Sequence, residues 1–152
     1  MRHKSLLLTV YIYMSLLIIF GSAALISFWM FYPYQPFTFH SDTSEVSTTT
    51  PFVAGDYVIW NNNFKHNTVG DLVTVNKRLI DGTVIAYPTT QYLTDGKEVA
   101  EKNALMKLPA YISSGTYHIE IVYTVKVNPI RTVSILRKTN AFKIYGVHHN
   151  SN

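Results

Sequence analysis

The chain has 152 residues, with 13 Lys/Arg against nine Asp/Glu, 47% hydrophobic residues and no cysteine. That length holds one ordinary domain beside any membrane segment, and the missing cysteine excludes structural disulfides, thiolate zinc sites and cysteine nucleophiles. With Arg2 and Lys4 set aside, the net charge of +4 falls to about +2, too little for the basic stripe of a nucleic-acid binder.

The first predicted element is a membrane span. Leu6 to Phe31 (LLLTVYIYMSLLIIFGSAALISFWMF) carries no charge, and about 20 apolar residues at 1.5 Å rise are enough to cross a bilayer. Arg2 and Lys4 precede it, and no Lys or Arg follows until Lys65. This asymmetry predicts a short cytoplasmic end at residues 1–4, a signal anchor over residues 5–32, and a C-terminal domain outside the cytoplasm. Trp29, Tyr32 and Tyr34 are the expected membrane-interface residues, because aromatic rings favour the headgroup level. A cleaved signal peptide is the alternative, with small residues at Gly21-Ser22-Ala23-Ala24 near a cut. The apolar run continues past that point through Tyr32, longer than the roughly 7–15 residues of a signal peptide, which favours the anchor.

Pro33-Tyr34-Gln35-Pro36 stops the helix, since proline lacks a backbone donor and disfavours helix in the residue before it. Residues 33–50 read as a linker with a first strand at Phe37-Thr38-Phe39. Ser41 to Thr50 is hydroxyl-rich and reads as a loop or weak edge strand.

From Pro51 the chain is a series of short strand signals. Asp56 to Trp60 is dense in β-branched and aromatic residues. Asn61-Asn62-Asn63 and Gly70-Asp71 read as breaks. Leu72 to Ile80 and Thr83 to Tyr87 flank Asp81-Gly82, the strongest short cue for a hairpin with a type I′ turn. Lys97 to Met106 has helix-forming composition, but its length and its setting among strands favour a loop with an irregular strand. The clearest strand is Thr116 to Val127. Tyr117, Ile119, Ile121, Tyr123, Val125 and Val127 share one face, while His118, Glu120, Val122, Thr124 and Lys126 share the other. Asn128-Pro129 turns the chain, Ile130 to Lys138 and Ala141 to Val147 supply the last strands, and Thr139-Asn140 turns between them.

Six to eight short strands with regular turn cues predict an all-β fold: an antiparallel β-sandwich over residues 51–147, preceded by one N-terminal transmembrane helix, with a flexible tail at 148–152. The stretch Leu108 to Val127, with a proline-containing loop and a Gly-Thr-Tyr turn leading into a long strand, resembles the end of an immunoglobulin-like domain. That resemblance implies a buried inter-sheet tryptophan at Trp60 and a Tyr117 hydroxyl bonded back to a loop backbone. The cysteine pair of that fold is missing. The whole assembly also resembles small uncharacterised bacteriophage-encoded single-pass membrane proteins, through Tyr32-Pro33-Tyr34, Gly115-Thr116-Tyr117 and Asn128-Pro129-Ile130-Arg131. This second resemblance implies an origin, and a bacterial inner membrane or virion membrane as the location.

Catalytic constellations are sparse. His40, His66 and His118 are the interior histidines of the exported part. His118 and Glu120 can orient a proton shuttle, but a solvated polar sheet face with an ordinary pair is the reading the pattern favours. His148-His149 with Asn150 is a candidate chelate in a polar tail, where fortuitous residues are the simpler account. Lys77-Arg78 with Arg131, Arg137 and Lys138 form a candidate basic patch, or guard a sheet edge. Tyr87, Tyr92 and Tyr111 fall near predicted loops and are the candidate partner-binding residues, by analogy with aromatic-rich paratopes.

The function expected from sequence is therefore a non-enzymatic, membrane-anchored interaction domain. Its partners would be the lipid bilayer and a protein or cell-envelope component, with no cofactor, no metal and no nucleic acid. Two alternatives stay open: a lysis-related protein acting through its span, and an envelope hydrolase with unrecognised carboxylates.

Overall fold

Apolar composition without a polar stripe produces one long helix, α1 (Arg2–Phe31), whose segment Leu6–Phe31 is long and apolar enough to cross a membrane. At 1.5 Å per residue its 26 residues span about 39 Å, more than a hydrocarbon core of about 30 Å. None of the span is buried within the chain. Of its serines Ser15, Ser22 and Ser27, Ser22 has its Oγ donating to the Ile18 carbonyl at 2.7 Å within the helix. A computed structural model of the chain describes residues 2–41, 44–46 and 51–146, with backbone alone for 2–5 and 98–103. The predicted tail at 148–152, His148-His149 and most of the hydroxyl-rich linker lie outside the described residues.

The chain divides into two compact units. The first is Met1–Tyr34 with the turn Asn128–Arg131. Within it, Asn128 Nδ2 donates to the Trp29 carbonyl at 2.9 Å and Arg131 Nη1 to the Tyr32 carbonyl at 2.5 Å. Both carbonyls stand at the helix C-terminus, where intrahelical donors run out.

The second unit, Gln35–Val127 with Thr132–Asn152, is built of strands. They are β1 (Phe37–Phe39), β2 (Glu45–Val46), β3 (Phe52–Val53), β4 (Tyr57–His66), β5 (Val69–Asp81), β6 (Thr83–Ala86), β7 (Thr90–Asp95), β8 (Glu98–Lys107), β9 (Gly115–Asn128), β10 (Arg131–Lys138) and β11 (Phe142–Tyr145). In one sheet, β4 pairs antiparallel with β1 and β2 along one edge and with β8 along the other. In the second, the order is β3-β11-β9-β5-β6, with β10 beside β9 and β7 beside β5. Among the described residues every strand pairing with a defined register is antiparallel except β3 with β11, and the isolated Ser44–Thr139 bridge is parallel as well. The inner faces share one core, in which Trp60, Val58 and Phe64 of the first sheet and Leu79, Ile119, Ile121 and Ile144 of the second are buried.

Strand β9 follows its period-2 expectation: Tyr117, Ile119, Ile121, Tyr123 and Val125 are buried, and only Val127 is half-buried. Five expectations are corrected. The described residues hold eleven strands, not six to eight, because long strands exchange partners along their length. Asn61-Asn62-Asn63 is no break; β4 runs through it with a bulge between Trp60 and Asn62, and alternation sends Asn62 inward. Gly70-Asp71 lies inside β5, where Gly70 at φ 83° sits in an irregularity of the β7 pairing. The Asp81-Gly82 hairpin forms, but Asp81 pairs directly with Thr83 and only Gly82 has positive φ, so the turn is tighter than type I′. The helix-like segment at Lys97–Met106 is strand β8, held against β4 over eight residue pairs.

Candidate functional site

Inward alternation along β4 places Val58, Trp60, Asn62, Phe64 and His66 on one face. The last four line a cavity of about 280 Å³ between the two sheets. Its opposite wall comes from β5 (Val75, Lys77), β7 (Thr90, Tyr92, Leu93, Asp95) and β9 (Tyr123). Trp60, Asn62, Phe64, His66 and Tyr123 are all under 5% exposed. Lys77 and Tyr92 are half-buried, and Thr90, Leu93 and Asp95 are exposed.

The polar groups here fall into two sets. The first is internally satisfied. Asn62 Nδ2 donates to the Tyr123 hydroxyl at 2.5 Å, which joins the two sheets across the interior. His66 Nδ1 lies 2.9 Å from Asp95 Oδ1, and its Nε2 lies 3.3 Å from the Tyr92 hydroxyl. With Asp95 as acceptor, Nδ1 carries the proton and Nε2 accepts from the tyrosine. The His66 ring also packs against Phe37, Phe64 and Tyr92, with centroids 5.3–5.6 Å away. The His66 hydrogen bond, then the Lys97 backbone N–H at 3.1 Å, holds the Asp95 carboxyl below its ordinary range.

The second set consists of donors without a side-chain acceptor among the described residues. Trp60 is 1% exposed and its Nε1–H has no hydrogen-bond partner. A buried unpaired donor costs about 1–3 kcal/mol, so its retention calls for an explanation. The Lys77 ammonium stands 5.3 Å from the centroid of the Trp60 ring, a cation–π contact. Among the described residues no carboxylate pairs with it. The backbone register sets Glu101 of β8 opposite Asn62.

The candidates read from sequence scatter. Tyr92 lines the cavity on β7 rather than a loop. Tyr87 follows β6 and packs against the core; its hydroxyl is buried without a partner, and burial pushes the phenol pKa up. Tyr111 is 95% exposed in the β8–β9 connection. The register sets Tyr92 opposite Val73, which faces Val125, whereas Tyr111 precedes the other end of β9, so the three tyrosines do not form one tip. Trp29 and Tyr34 are half-buried and Tyr32 is exposed at the end of α1. Arg2 and Lys4 begin α1, with backbone alone described.

The basic patch is also dispersed. Lys77 faces the cavity and Arg78 is exposed. Arg137 stacks 4.4 Å over the Phe39 ring and donates to the Ser41 carbonyl. Lys138 Nζ binds Glu120 Oε1 at 2.7 Å. His118 Nε2 is 3.7 Å from that same oxygen. Lys138 foremost lowers the Glu120 pKa, and the carboxylate belongs to an outer-face ion pair. Among the described residues no three His, Asp or Glu side chains converge as a metal site.

Sequence reasoning missed Asn62, Phe64, Asp95 and the tie between His66 and Asp95, and it placed Lys77 in a surface patch. One signal was available: the alternation Val58, Trp60, Phe64 continues through Asn62 and His66 once the Asn run is read as strand. No family model matches the chain, and no curated protein matches it.

Proposed function

We propose that the protein is a single-pass membrane protein with a cytoplasmic N-terminus, displaying a non-enzymatic immunoglobulin-like binding domain outside the cytoplasm. The observation that carries this reading is the unburied, uncharged 26-residue segment of α1, followed by a separate unit with its own core. A helix apolar on all faces and uncovered by its own chain requires an apolar medium. Arg2 and Lys4 supply the orientation through the positive-inside rule. The immunoglobulin-like reading rests on two packed, mostly antiparallel sheets and on Tyr117 Oη, which donates to the Ser113 carbonyl at 2.9 Å four residues upstream of the strand's first tyrosine. Trp60 is buried as that fold requires of its tryptophan, but it sits on the first long strand, β4, rather than the next one. An envelope component or a protein is the partner this reading assigns, and a bacteriophage is the source it favours.

One experiment on the tagged full-length chain tests it. Membrane fractionation, the mass of the mature chain and protease access from the outer face are measured together. The expected result is a full-length, membrane-bound chain whose C-terminal domain is digested from outside. A chain trimmed near Ala24 and released replaces the anchor with a signal peptide. Permeabilisation of cells by residues 1–36 alone moves the activity to the span and favours the lysis reading.

The Asp95–His66–Tyr92 chain gives the hydrolase alternative its one foothold, since a carboxylate orients an imidazole against a hydroxyl. Peptidoglycan or glycan cleavage by the wild-type protein, lost in a folded His66→Gln variant, would displace the binding reading.

A further inference from the structure

We propose that the β9–β10 turn, Asn128-Pro129-Ile130-Arg131, is a second contact with the membrane, seated in the headgroup layer with Pro129 and Ile130 against phospholipid acyl chains; this rests on α1 spanning the bilayer, as proposed above. The starting point is one backbone carbonyl. In a continuing helix the Trp29 carbonyl accepts from the N–H of residue 33, but Pro33 has none. The Phe28 carbonyl one residue earlier does have its donor, the Tyr32 N–H at 2.9 Å. Trp29 lies inside the apolar segment Leu6–Phe31, where water is scarce and an unpaired carbonyl is costly. Its missing donor comes from 99 residues further along the chain, as Asn128 Nδ2 at 2.9 Å. Arg131 Nη1 donates to the Tyr32 carbonyl, just beyond the apolar segment. The turn and the end of α1 belong to one compact unit, so the medium that surrounds the end of the span also meets the turn.

Length sets the depth. A span of about 39 Å, centred on about 30 Å of hydrocarbon, leaves about 4–5 Å, or about three residues, in the headgroup layer at each end. At this end those residues are Trp29, Met30 and Phe31. The Trp29 carbonyl, and Asn128 with it, therefore stands at the boundary between acyl chains and headgroups. The turn suits that boundary. Pro129 has no N–H, and the Ile130 N–H donates to Asn128 Oδ1 at 3.1 Å, so the two tip residues present no unpaired backbone donor. Both tip side chains are apolar and exposed, Ile130 at 55%. Arg131 carries the only charge of the turn. It is held at Tyr32, beside the negative end of the helix dipole and at the level of the lipid phosphates, which a guanidinium binds well. An apolar tip with satisfied donors, and a cation on its headgroup side, fit a phospholipid interface better than open water.

The chain has no cysteine, so Ile130→Cys in the full-length protein offers a single attachment point for an environment-sensitive fluorophore. The labelled protein is placed in phosphatidylcholine nanodiscs. Its emission is quenched with aqueous iodide, and separately with lipids spin-labelled near the headgroup or near the bilayer centre. Tyr111→Cys, at a side chain 95% exposed, is the water reference. Leu17→Cys, in the middle of the span, is the membrane reference. Iodide should quench the turn label about threefold less than the water reference, and the headgroup-side spin label should quench it about twofold more than the central one. Pro129→Cys repeats the test at the neighbouring exposed position if the label at Ile130→Cys disturbs the fold. A turn label as open to iodide as the water reference, with the Leu17→Cys label quenched by lipid, overturns the proposal and leaves the anchor standing. Turn and mid-span labels both open to iodide overturn the proposal and the anchor together. A turn label shielded from iodide and from both spin-labelled lipids also overturns it, and would mean that protein rather than lipid covers the turn.

Discussion

Strands β4 and β9 present the same in–out alternation to one interior, and they use it for different ends. On β9 the inward residues are Tyr117, Ile119, Ile121, Tyr123 and Val125, all buried. On β4 they are Val58, Trp60, Asn62, Phe64 and His66, equally buried, yet three of them carry polar atoms into the interior. β9 makes core and lends only Tyr123 to the cavity wall, while β4 makes half of that cavity with a hydrogen-bond network in it. Periodicity states which side of a strand faces in. It does not state whether the inside is for packing alone.

The largest effect that sharpens this contrast belongs to β9. Ile119→Ala removes a fully buried side chain at the sheet centre and should cost about 2–5 kcal/mol in chemical unfolding followed by near-UV circular dichroism. A loss below about 1 kcal/mol would mean that β9 is not the packed half.

The link between the strands comes next. Tyr123→Phe removes the acceptor of Asn62 Nδ2 and should cost about 1–3 kcal/mol, because the amide stays buried and unpaired. Asn62→Leu in that background should restore part of the loss, since both partners are then apolar. The measurement is a double-mutant cycle on unfolding free energy. Additive effects would show that the two side chains are neighbours without being coupled.

Legibility follows the same division. The faces of β9 could be read because apolar residues stand at every second position along the whole strand. The buried polar face of β4 could not, because three successive asparagines are a turn signature, and the partner that makes Asn62 tolerable inside is 61 residues away. Asp95 ends β7, and Gly96 with φ 73° turns the chain toward β8. That the same aspartate closes on a histidine 29 residues earlier is a tertiary fact. The burial of the Trp60 ring and the Tyr117 hydroxyl bond could be anticipated by resemblance, because the ring is mostly apolar and the bond is local. Lys77 read as part of a surface patch, since a lysine gives no sequence sign that it lies over an indole.

A smaller effect separates the two tyrosines of β9. The Tyr123 hydroxyl crosses to the other sheet, whereas that of Tyr117 returns to Ser113 in the adjoining loop. Tyr117→Phe should cost about 0.5–1.5 kcal/mol, the net worth of one hydrogen bond with a backbone carbonyl left partly hydrated. A cost above that of Tyr123→Phe would reverse the ranking of local and cross-sheet bonds.

The smallest effect is the pH dependence of the β4 network. Asp95 has its pKa lowered from an ordinary 3.8, first by the His66 hydrogen bond. A carboxyl with a depressed folded pKa binds its proton less readily when folded than when unfolded. Its contribution to stability is therefore complete above the unfolded value and declines as pH falls below it toward the folded one. Glu120 on the outer face has the same sign through Lys138. Asp95→Asn keeps an acceptor for His66 but removes the charge, so the variant should lose less stability than the wild type between about pH 5 and pH 2, values chosen to bracket the roughly 3.9 of an unperturbed aspartate. Asp95 is exposed, so the difference should be modest and should survive in high salt only to the extent that the hydrogen bond, not the charge, carries it. Acid unfolding curves of the two proteins that superimpose would show that His66 is held by packing against Phe37, Phe64 and Tyr92. The imidazole of β4 would then count as core, like the side chains of β9, and the contrast between the strands would narrow to Trp60, Asn62 and Lys77.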